Sequence, residues 1–460
     1  MSSKAEAIYM AAPVWLQNLL VSSMGYRLYQ KRYTGLYQQL LEQVRESREW
    51  TPAQRETWQN QQLHEMVKHC RHHIPWYQKV FADHGLHEQD VTSLADLHKL
   101  PVLNKQTMRM NADEFRSATD KPWAIQRTSG STGTPLALMV NEHTYKLAMA
   151  LVAEHEEYHG VAFGERRATF AGRMVQKPDN LQPPFARYNR AENQRIYSSY
   201  HLNRNTFRWY EQDLNRFQPR ELIGYPSALY DLASHYQRTN RRPRFNPTAI
   251  VTNSETLLTW QRETLEVVFK CPVVDYYGTS EYILFAGQDI SGRYYVNPLL
   301  GIAELCSNPD QSDSGTIIAT TLTNTCMPLL RYRIGDTATL EESRNPGTAP
   351  VSSFKEIIGR IDDYVETADG RRIGRLDDIA KGLTRIRETQ IIQTAIDHCI
   401  IRVASDGTLQ ESDKEQITHN FRRRISDQIR ITFEPVAEIP RGPNGKFRNV
   451  ISMKGSDHGP

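Results

Sequence analysis

The sequence has few long apolar runs, and none of them is long enough to cross a membrane. A membrane-spanning helix requires about 20 consecutive apolar residues. The best candidate, residues 13–26, is interrupted by Gln17, Asn18, Ser22 and Ser23. It also lacks the basic stretch and the small-residue cleavage site of a secretory signal. We therefore interpret it as an amphipathic helix packed on the protein, with weak membrane association as the alternative, and we expect no integral membrane segment.

Paired cysteines and an excess of one charge are also missing. The five cysteines are far apart, their number is odd, and no two form a C-x-x-C pair. This pattern favours reduced thiols in a cytosolic protein over a disulfide framework. Lys and Arg total 56 against 53 Asp and Glu, so the formal net charge is only +3. The basic residues are scattered, and we expect a soluble, cytoplasmic protein with no nucleic-acid partner.

Hydroxyl groups and glycines concentrate in one short stretch, Thr128-Ser129-Gly130-Ser131-Thr132-Gly133-Thr134-Pro135. Its glycines allow backbone N–H groups to approach a ligand closely. Successive N–H groups in such a turn form a concave anion site, and the hydroxyls add donors. No lysine follows the second glycine, so the stretch is not the loop of P-loop NTPases. The composition predicts a phosphate-binding loop, with a solvated surface turn as the alternative.

Short apolar strands alternate with helices in the middle of the chain. This alternation predicts a mostly parallel α/β sheet. Polar residues follow three of the strands, and ligands bind at the carboxyl ends of parallel strands, so we expect one cleft there. Strands are predicted at 136–140, 222–224, 249–252 and 272–277, helices at 142–158, 206–217, 228–237 and 259–269, and a long loop at 173–190.

The last third of the chain has a different pattern. Residues 293–340, with strands predicted at 294–296, 302–305 and 316–319, indicate a small antiparallel β subdomain. Residues 376–460 indicate a small α+β unit, and we place a domain boundary at 360–363. The predicted fold class is α/β, with a large N-terminal domain (1–360) of mostly parallel sheets and flanking helices that includes the antiparallel subdomain. A small α+β C-terminal domain (361–460) follows it.

Five segments carry a resemblance to a known family. They are residues 128–135, Tyr277-Gly278-Thr279-Ser280-Glu281, Arg331-Tyr332-Arg333-Ile334-Gly335-Asp336, Gly359-Arg360-Ile361-Asp362-Asp363 and Pro440-Arg441-Gly442-Pro443-Asn444-Gly445-Lys446. Their order and spacing resemble the adenylate-forming superfamily of acyl-CoA synthetases, adenylation domains and luciferases. Within it the chain looks most like the phenylacetate-CoA ligase and CapK-like branch, over nearly its whole length. One such motif is weak evidence, whereas five in order are strong.

The resemblance implies that a carboxylate attacks the α-phosphorus of ATP, releases pyrophosphate and leaves an acyl-adenylate. The stretch from Thr128 to Thr134 would hold the β- and γ-phosphates. Glu281 would bind Mg²⁺, which suits a hard oxygen anion beside triphosphate. Asp336 would accept hydrogen bonds from the ribose hydroxyls, because a carboxylate only accepts. Tyr277 and Gly278 would flank the adenine, together with the turn Ser254-Glu255-Thr256. The other implied nucleotide contacts are Tyr276, Ser280 at the α-phosphate, and Arg360 near the ribose and phosphate end.

Lys446 is the implied catalytic residue. In the family the small domain brings this lysine between the carboxylate and the α-phosphate, where it offsets charge developing on phosphorus. Asp362 lies at the implied hinge, so the small domain would be mobile. Its rotation would withdraw Lys446 and open a channel for a thiol nucleophile from coenzyme A or a carrier protein.

The acyl substrate stays open. Residues 173–190 and 224–228 lie where the family builds its acyl pocket, and Arg173, His201 and Tyr225 are candidates for substrate contacts, with surface or structural roles as the alternative. Leu136 stands where many relatives carry a lysine, a position that varies in the phenylacetate-type branch. Two rivals to the thioester reaction remain: passage of the acyl group to an amine or adenylylation of a cofactor, and a nucleotide-binding regulator without turnover.

Overall fold

Short buried segments form the strands of one large sheet, and longer amphipathic segments form the helices on its faces. The computed structural model of the chain describes residues 8–127, 137–173, 175–177, 179–257, 259–308, 311–340, 350–358, 365–369, 372–373, 376–380, 383, 385–405, 407–437, 439 and 450–451. The helices are α1 Val14–Arg32, α2 Tyr37–Arg48, α3 Pro52–His73, α4 Pro75–Asp83, α5 Lys105–Met110, α6 Glu142–Tyr158, α7 Phe207–Phe217, α8 Pro226–Arg238, α9 Thr259–Phe269 and α10 Glu411–Arg424.

The strands of the described residues form one nine-stranded sheet, two four-stranded sheets and two two-stranded sheets. They are β1 Ala124–Arg127, β2 Ala137–Val140, β3 Arg167–Phe170, β4 Ala186–Asn189, β5 Gln194–Tyr197, β6 Glu221–Gly224, β7 Ala249–Asn253, β8 Val273–Gly278, β9 Phe285–Gln288, β10 Tyr294–Val296, β11 Gly301–Asn308, β12 Gln311–Thr321, β13 Tyr332–Thr339, β14 Ser353–Phe354, β15 Glu356–Ile358, β16 Val365–Glu366, β17 Arg372–Ile373, β18 Ile386–Ala395, β19 His398–Ser405, β20 Arg430–Val436 and β21 Val450–Ile451.

The large sheet has nine strands in the order β14-β10-β9-β8-β7-β6-β3-β5-β4. Strands β5, β3, β6, β7 and β8 are parallel, and antiparallel strands flank them on both sides. Apolar residues on one face pack against α7, α8 and α9, and those on the other face pack against α2 and α6. Because both faces are covered, strands such as β6 are buried along their whole length. This confirms the predicted α/β class.

The smaller antiparallel sheet has the order β11-β12-β13-β15. It shares a core with α3 and α4, in which Tyr332 and Phe354 are fully buried. The predicted assignment of residues 294–296 to this subdomain was wrong, because β10 pairs with β9 and β14 of the large sheet. The predicted loop at 173–190 also ends early, since β4 begins at Ala186 and pairs with β5.

The carboxy-terminal unit combines a four-stranded sheet, of order β20-β19-β18-β21, with α10. Ile401 and Val403 of β19 and Ile417 and Phe421 of α10 form its apolar core. This is the small α+β unit that the sequence predicts after residue 376.

Helix α1 covers the outer edge of the large sheet. The backbone N–H of Tyr188 on the edge strand β4 donates to Asn18 Oδ1 (3.0 Å), and Ser22 Oγ donates to the carbonyl of Tyr188 (3.1 Å). A Cβ on Gly25 would lie 2.0 Å from Asn189 Oδ1, so only glycine allows the helix to approach this closely. The backbone N–H and C=O of Tyr188 on the edge strand are thus satisfied by side chains rather than by another strand.

Candidate active site

The carboxyl ends of four parallel strands meet at one edge of the large sheet. Phe170 at the end of β3 pairs with Gly224 of β6, Gly224 pairs with Thr252 of β7, and Asn253 pairs with Tyr276 of β8. The segments that follow these strands, at 171–173, 225, 254–257 and 279–281, therefore start side by side. This is the edge at which parallel sheets bind ligands.

Tyr277 and Asp336 meet at this edge although they belong to different sheets. The phenol Oη of Tyr277, on β8, donates to Asp336 Oδ2, on β13, over 2.7 Å. Both side chains are half-buried. The predicted adenine and ribose contacts are thus adjacent, and the small antiparallel sheet forms one wall of the candidate site.

Glu281 lies against the same strand. Its side chain is buried, and its Oε1 is 3.5 Å from Tyr332 Oη, four residues before Asp336 on β13. The turn that carries Glu281 is closed by Thr279, whose carbonyl accepts from the N–H of Tyr282 (3.0 Å) and whose Oγ1 accepts from the N–H of Ile283 (3.3 Å). Tyr282 has a left-handed φ of 52°, and the exposed Ser280 stands at the tip of this turn. The sequence motif included Thr279 and Tyr332, but their positioning contacts were not predicted.

The turn after β7 reaches the edge in a constrained backbone conformation. Ser254 has a φ of 70°, which is uncommon for a residue with a side chain. Its Oγ donates to Asn253 Oδ1 (2.9 Å), and the half-buried Glu255 follows. Such conformations cost about 1 kcal/mol or more and persist where the surrounding structure holds them. The turn thus presents residues 254–256 beside the end of β8.

Tyr276 faces away from Tyr277, because successive side chains of a strand point to opposite faces. Its ring stacks on Phe285 with a centroid distance of 5.6 Å and lies 6.1 Å from the ring of His155 on α6. Burial raises the pKa of the Tyr276 phenol. The structure places this side chain in the core between the sheet and α6, not with Tyr277 and Asp336.

His201 is also a core residue. Its side chain is fully buried, Nδ1 is 2.7 Å from Ser198 Oγ, and Nε2 is 2.9 Å from the carbonyl of Lys177. The ring stacks on Phe185. Because both ring nitrogens contact protein groups, the structural alternative fits His201 better than the predicted substrate contact.

Arg173 and Tyr225 do lie together at the sheet edge. The N–H of Tyr225 donates to the carbonyl of Phe170 (2.9 Å), and a Cβ on Gly172 would lie 2.8 Å from the Tyr225 ring. Gly172 also has a left-handed φ of 61°. Arg173 is exposed beside it. Gly172 thus lies against the ring of Tyr225, and Arg173 follows it directly in the chain, so the two candidates for substrate contacts are close together.

The predicted phosphate loop, Arg360, Asp362 and Lys446 lie outside the described residues. The strands that flank the loop are described: Arg127 of β1 pairs with Ala137 of β2. Asn324, in the turn after β12, donates from Nδ2 to the carbonyl of Met139 on β2 (2.9 Å). This contact ties β2 to the sheet that carries Asp336.

Asp275 lies beneath the site and was not predicted from the sequence. It accepts from Thr252 Oγ1 (2.5 Å) and from Tyr294 Oη (2.6 Å), and thus joins β8 to β7 and β10. Burial raises the pKa of this carboxyl to about 7, although both hydrogen bonds favour the charged form. Asp275 is on the same face of β8 as Tyr277, two residues away.

We expect the Asp275→Asn variant to lose part of the pH dependence of stability. The pKa of Asp275 is about 7 in the folded protein and about 4 in an unfolded chain. Folding thus favours the protonated form of Asp275. The resulting contribution to the free energy of unfolding is fully present below about pH 4 and is lost as the pH rises to about 7. Thermal unfolding of both proteins between these pH values should show a flatter profile for the variant. Parallel profiles would show that Asp275 does not titrate in this range.

Comparisons with known proteins are consistent with this geometry. Residues 365–453 match the family described as the CapK C-terminal domain. The chain is 29% identical to protein CapK of Staphylococcus aureus, over 97% of this chain and 98% of the relative. The chain is also 26% identical to a phenylacetate-coenzyme A ligase of Thermus thermophilus, over 30% of this chain and 37% of that protein. The predicted resemblance to the phenylacetate-CoA ligase and CapK-like branch is confirmed.

A solved structure shares the fold of this protein. It is 2-hydroxyisobutyryl-CoA ligase in complex with 2-HIB-AMP and CoA, with a TM-score of 0.53 and 17% identity over 87% of this chain and 90% of that chain. At this level of identity the likeness establishes the fold alone. Among the described residues, none of the helices combines the length and the apolar character needed to cross a membrane.

Proposed function

We propose that the protein uses ATP to activate a carboxylic acid and then transfers the acyl group to a thiol. A carboxylate oxygen attacks the α-phosphorus, the bond to the β-phosphate oxygen breaks, and pyrophosphate leaves. A thiolate of coenzyme A or of a carrier protein then attacks the acyl carbon, and AMP leaves. The observation that supports this best is the 2.7 Å contact of Tyr277 with Asp336, which joins two sheets at the ligand-binding edge.

The nucleotide would lie along this contact. Tyr277 offers a ring face to the adenine, and the carboxylate of Asp336 accepts hydrogen bonds from ribose hydroxyls. Ser280 is exposed between Tyr277 and Glu281 and can donate to the α-phosphate. The loop 128–134 would hold the β- and γ-phosphates, and Lys446 and Arg360 would complete the site from the carboxy-terminal side.

The surroundings of Glu281 fit a divalent cation. A buried carboxylate is costly unless a positive partner compensates it, and Glu281 forms no ion pair with any residue in the described part of the chain. An oxygen anion of this kind suits Mg²⁺, which retains several water ligands. When bound, the ion would neutralise charge on the triphosphate.

The reaction is tested by carboxylate-dependent exchange of pyrophosphate into ATP over a panel of aryl and polar acids. Acids that support exchange are then incubated with hydroxylamine, coenzyme A or an amine. Exchange together with acceleration by coenzyme A supports the thioester reaction. Exchange without that acceleration would redirect the second step to another acceptor, and no exchange with any acid would contradict catalysis.

We expect Asp336→Asn to raise the KM for ATP by roughly tenfold or more, because hydrogen bonds to a charged acceptor contribute about 1.5–3 kcal/mol. The variant should also lose discrimination between ATP and 2′,3′-dideoxy-ATP, because the amide is a weaker acceptor for the ribose hydroxyls than the carboxylate. Initial exchange rates with both nucleotides provide the measurement.

Tyr277→Phe is the matched control for this prediction. It removes the phenol that contacts Asp336 and keeps the ring. We expect its discrimination against the dideoxy nucleotide to equal that of the native protein. Full discrimination in Asp336→Asn would place the ribose elsewhere.

A further inference from the structure

Helix α1 has large apolar side chains that face solvent and polar side chains that contact the protein. Trp15, Leu19 and Tyr26 are 68%, 60% and 60% exposed, and they lie on one face at helical spacing. Gln17, on the opposite face, is 3% exposed. A helix that packs on a globular protein normally has the reverse arrangement.

The inward polar face has a structural explanation. Gln17 bonds the carbonyls of Tyr9 (2.8 Å) and Ala12 (3.0 Å) and accepts from Arg187 of β4. Asn18 and Ser22 bond the backbone of Tyr188 on the edge strand. The outward apolar face has no such explanation, because no described part of the chain covers it.

The charge pattern indicates what covers this face. The sequence contains no Asp or Glu from residue 7 to residue 41, and its only charged residues there are Arg27, Lys31 and Arg32. Arg27 is exposed on the outward side of the helix. Tryptophan and tyrosine are the aromatic residues enriched at membrane interfaces. Exposed apolar and aromatic groups beside basic ones characterise helices that lie in the interface of an anionic bilayer.

We propose that α1 docks the protein on the surface of a membrane that contains anionic lipid. The helix lies in the interfacial plane, with Trp15, Leu19 and Tyr26 among the headgroups and Arg27 next to lipid phosphates. A second copy of the chain fits this face less well. A symmetric dimer through α1 would bring like charges together, and the helix has no acidic residue to pair with them. This inference does not depend on the proposed reaction.

The test is co-sedimentation of the full chain with vesicles of phosphatidylcholine alone and of phosphatidylcholine mixed with phosphatidylserine. We expect binding only to the mixed vesicles and release at high salt, since the attraction to anionic lipid is screened. Trp15→Ser combined with Leu19→Ser should lower the bound-to-free ratio by roughly tenfold or more, because both side chains leave water on binding. Arg27→Glu should weaken binding to the mixed vesicles by roughly tenfold.

Val267→Ser is the matched control, because Val267 is 68% exposed on α9, on another part of the surface. It should bind vesicles like the native protein. All variants should keep the native unfolding temperature, since the replaced side chains point into solvent. The absence of binding to the mixed vesicles, or equal binding by the Trp15/Leu19 double variant, would overturn the proposal. A dimer by light scattering that the double variant dissociates, without vesicle binding by the native chain, would instead identify a second copy as the partner.

Discussion

Replacing Lys446 with alanine is expected to reduce acid-dependent ATP–pyrophosphate exchange by about 10²–10³-fold, the effect of losing one preorganised donor at a developing oxyanion. In the proposed reaction, negative charge accumulates on the phosphorus oxygens as the carboxylate attacks. We expect Lys446 to act on that charge and much less on bound ATP. The affinity for ATP, measured by calorimetry, should therefore change only a few-fold.

Lys414→Ala provides the control for this variant. Lys414 is in the same domain, on α10, and pairs with the exposed Glu411 at 2.7 Å, so its removal should leave exchange unaltered. Native exchange in Lys446→Ala would refute the assigned role. A loss of ATP binding that matches the loss of exchange would mean that the lysine binds the ground state and does not act selectively on the transition state.

The second prediction with a large expected effect concerns the free energy of unfolding. It rests on a buried cluster of charged side chains between the large sheet and α6. The guanidinium of Arg167 on β3 bonds Glu221 of β6 (Nε to Oε2, 2.5 Å) and Glu156 of α6. Both carboxylates are buried. Burial raises the pKa of Glu156, whereas the Arg167 charge acts to lower it. The cluster joins two neighbouring parallel strands to the helix that crosses them.

We expect Arg167→Met to lower the free energy of unfolding by about 3–5 kcal/mol near neutral pH, because it leaves two buried carboxylates without a positive partner. Without Arg167 the pKa of Glu156 rises further, so the variant should lose stability as the pH rises and recover part of it in mild acid. Urea unfolding at several pH values measures both effects.

Arg220→Met is the comparison for this variant. Arg220 pairs with Glu165 at 3.8 Å on the surface, and such pairs contribute about 0–1 kcal/mol. Adding Glu156→Gln and Glu221→Gln to Arg167→Met should restore part of the loss. Equal destabilisation by the two arginine variants would show that the buried charges are not the cause.

The sequence predicted the elements of the large domain well where local signals were strong. The helices 142–158 and 259–269 have the predicted bounds, because each lies between clear turn residues and carries a regular apolar pattern. Strand 294–296 was assigned to the wrong sheet, since its pairing with β9 and β14 depends on contacts that local periodicity does not encode.

The predictions for the candidate site were likewise correct for some residues and wrong for others. Tyr277 and Asp336 were selected by motif, and the structure places them in contact. The neighbouring Tyr276 shares the motif but faces the core, because strand alternation and not residue type decides its direction. His201 was a candidate for substrate contacts, yet its two ring nitrogens contact Ser198 and the carbonyl of Lys177. The carboxyl of Asp275 gave no sequence signal, since its raised pKa comes from burial between three strands.

The position of α1 over β4 also constrains how the chain can be shortened. A fragment that starts after Arg32 would uncover the backbone groups of Tyr188 that Asn18 and Ser22 now satisfy. An exposed edge strand of this kind pairs with strands of other molecules. Trimming the exposed tryptophan-bearing segment in the hope of better solubility would therefore favour intermolecular strand addition and precipitation.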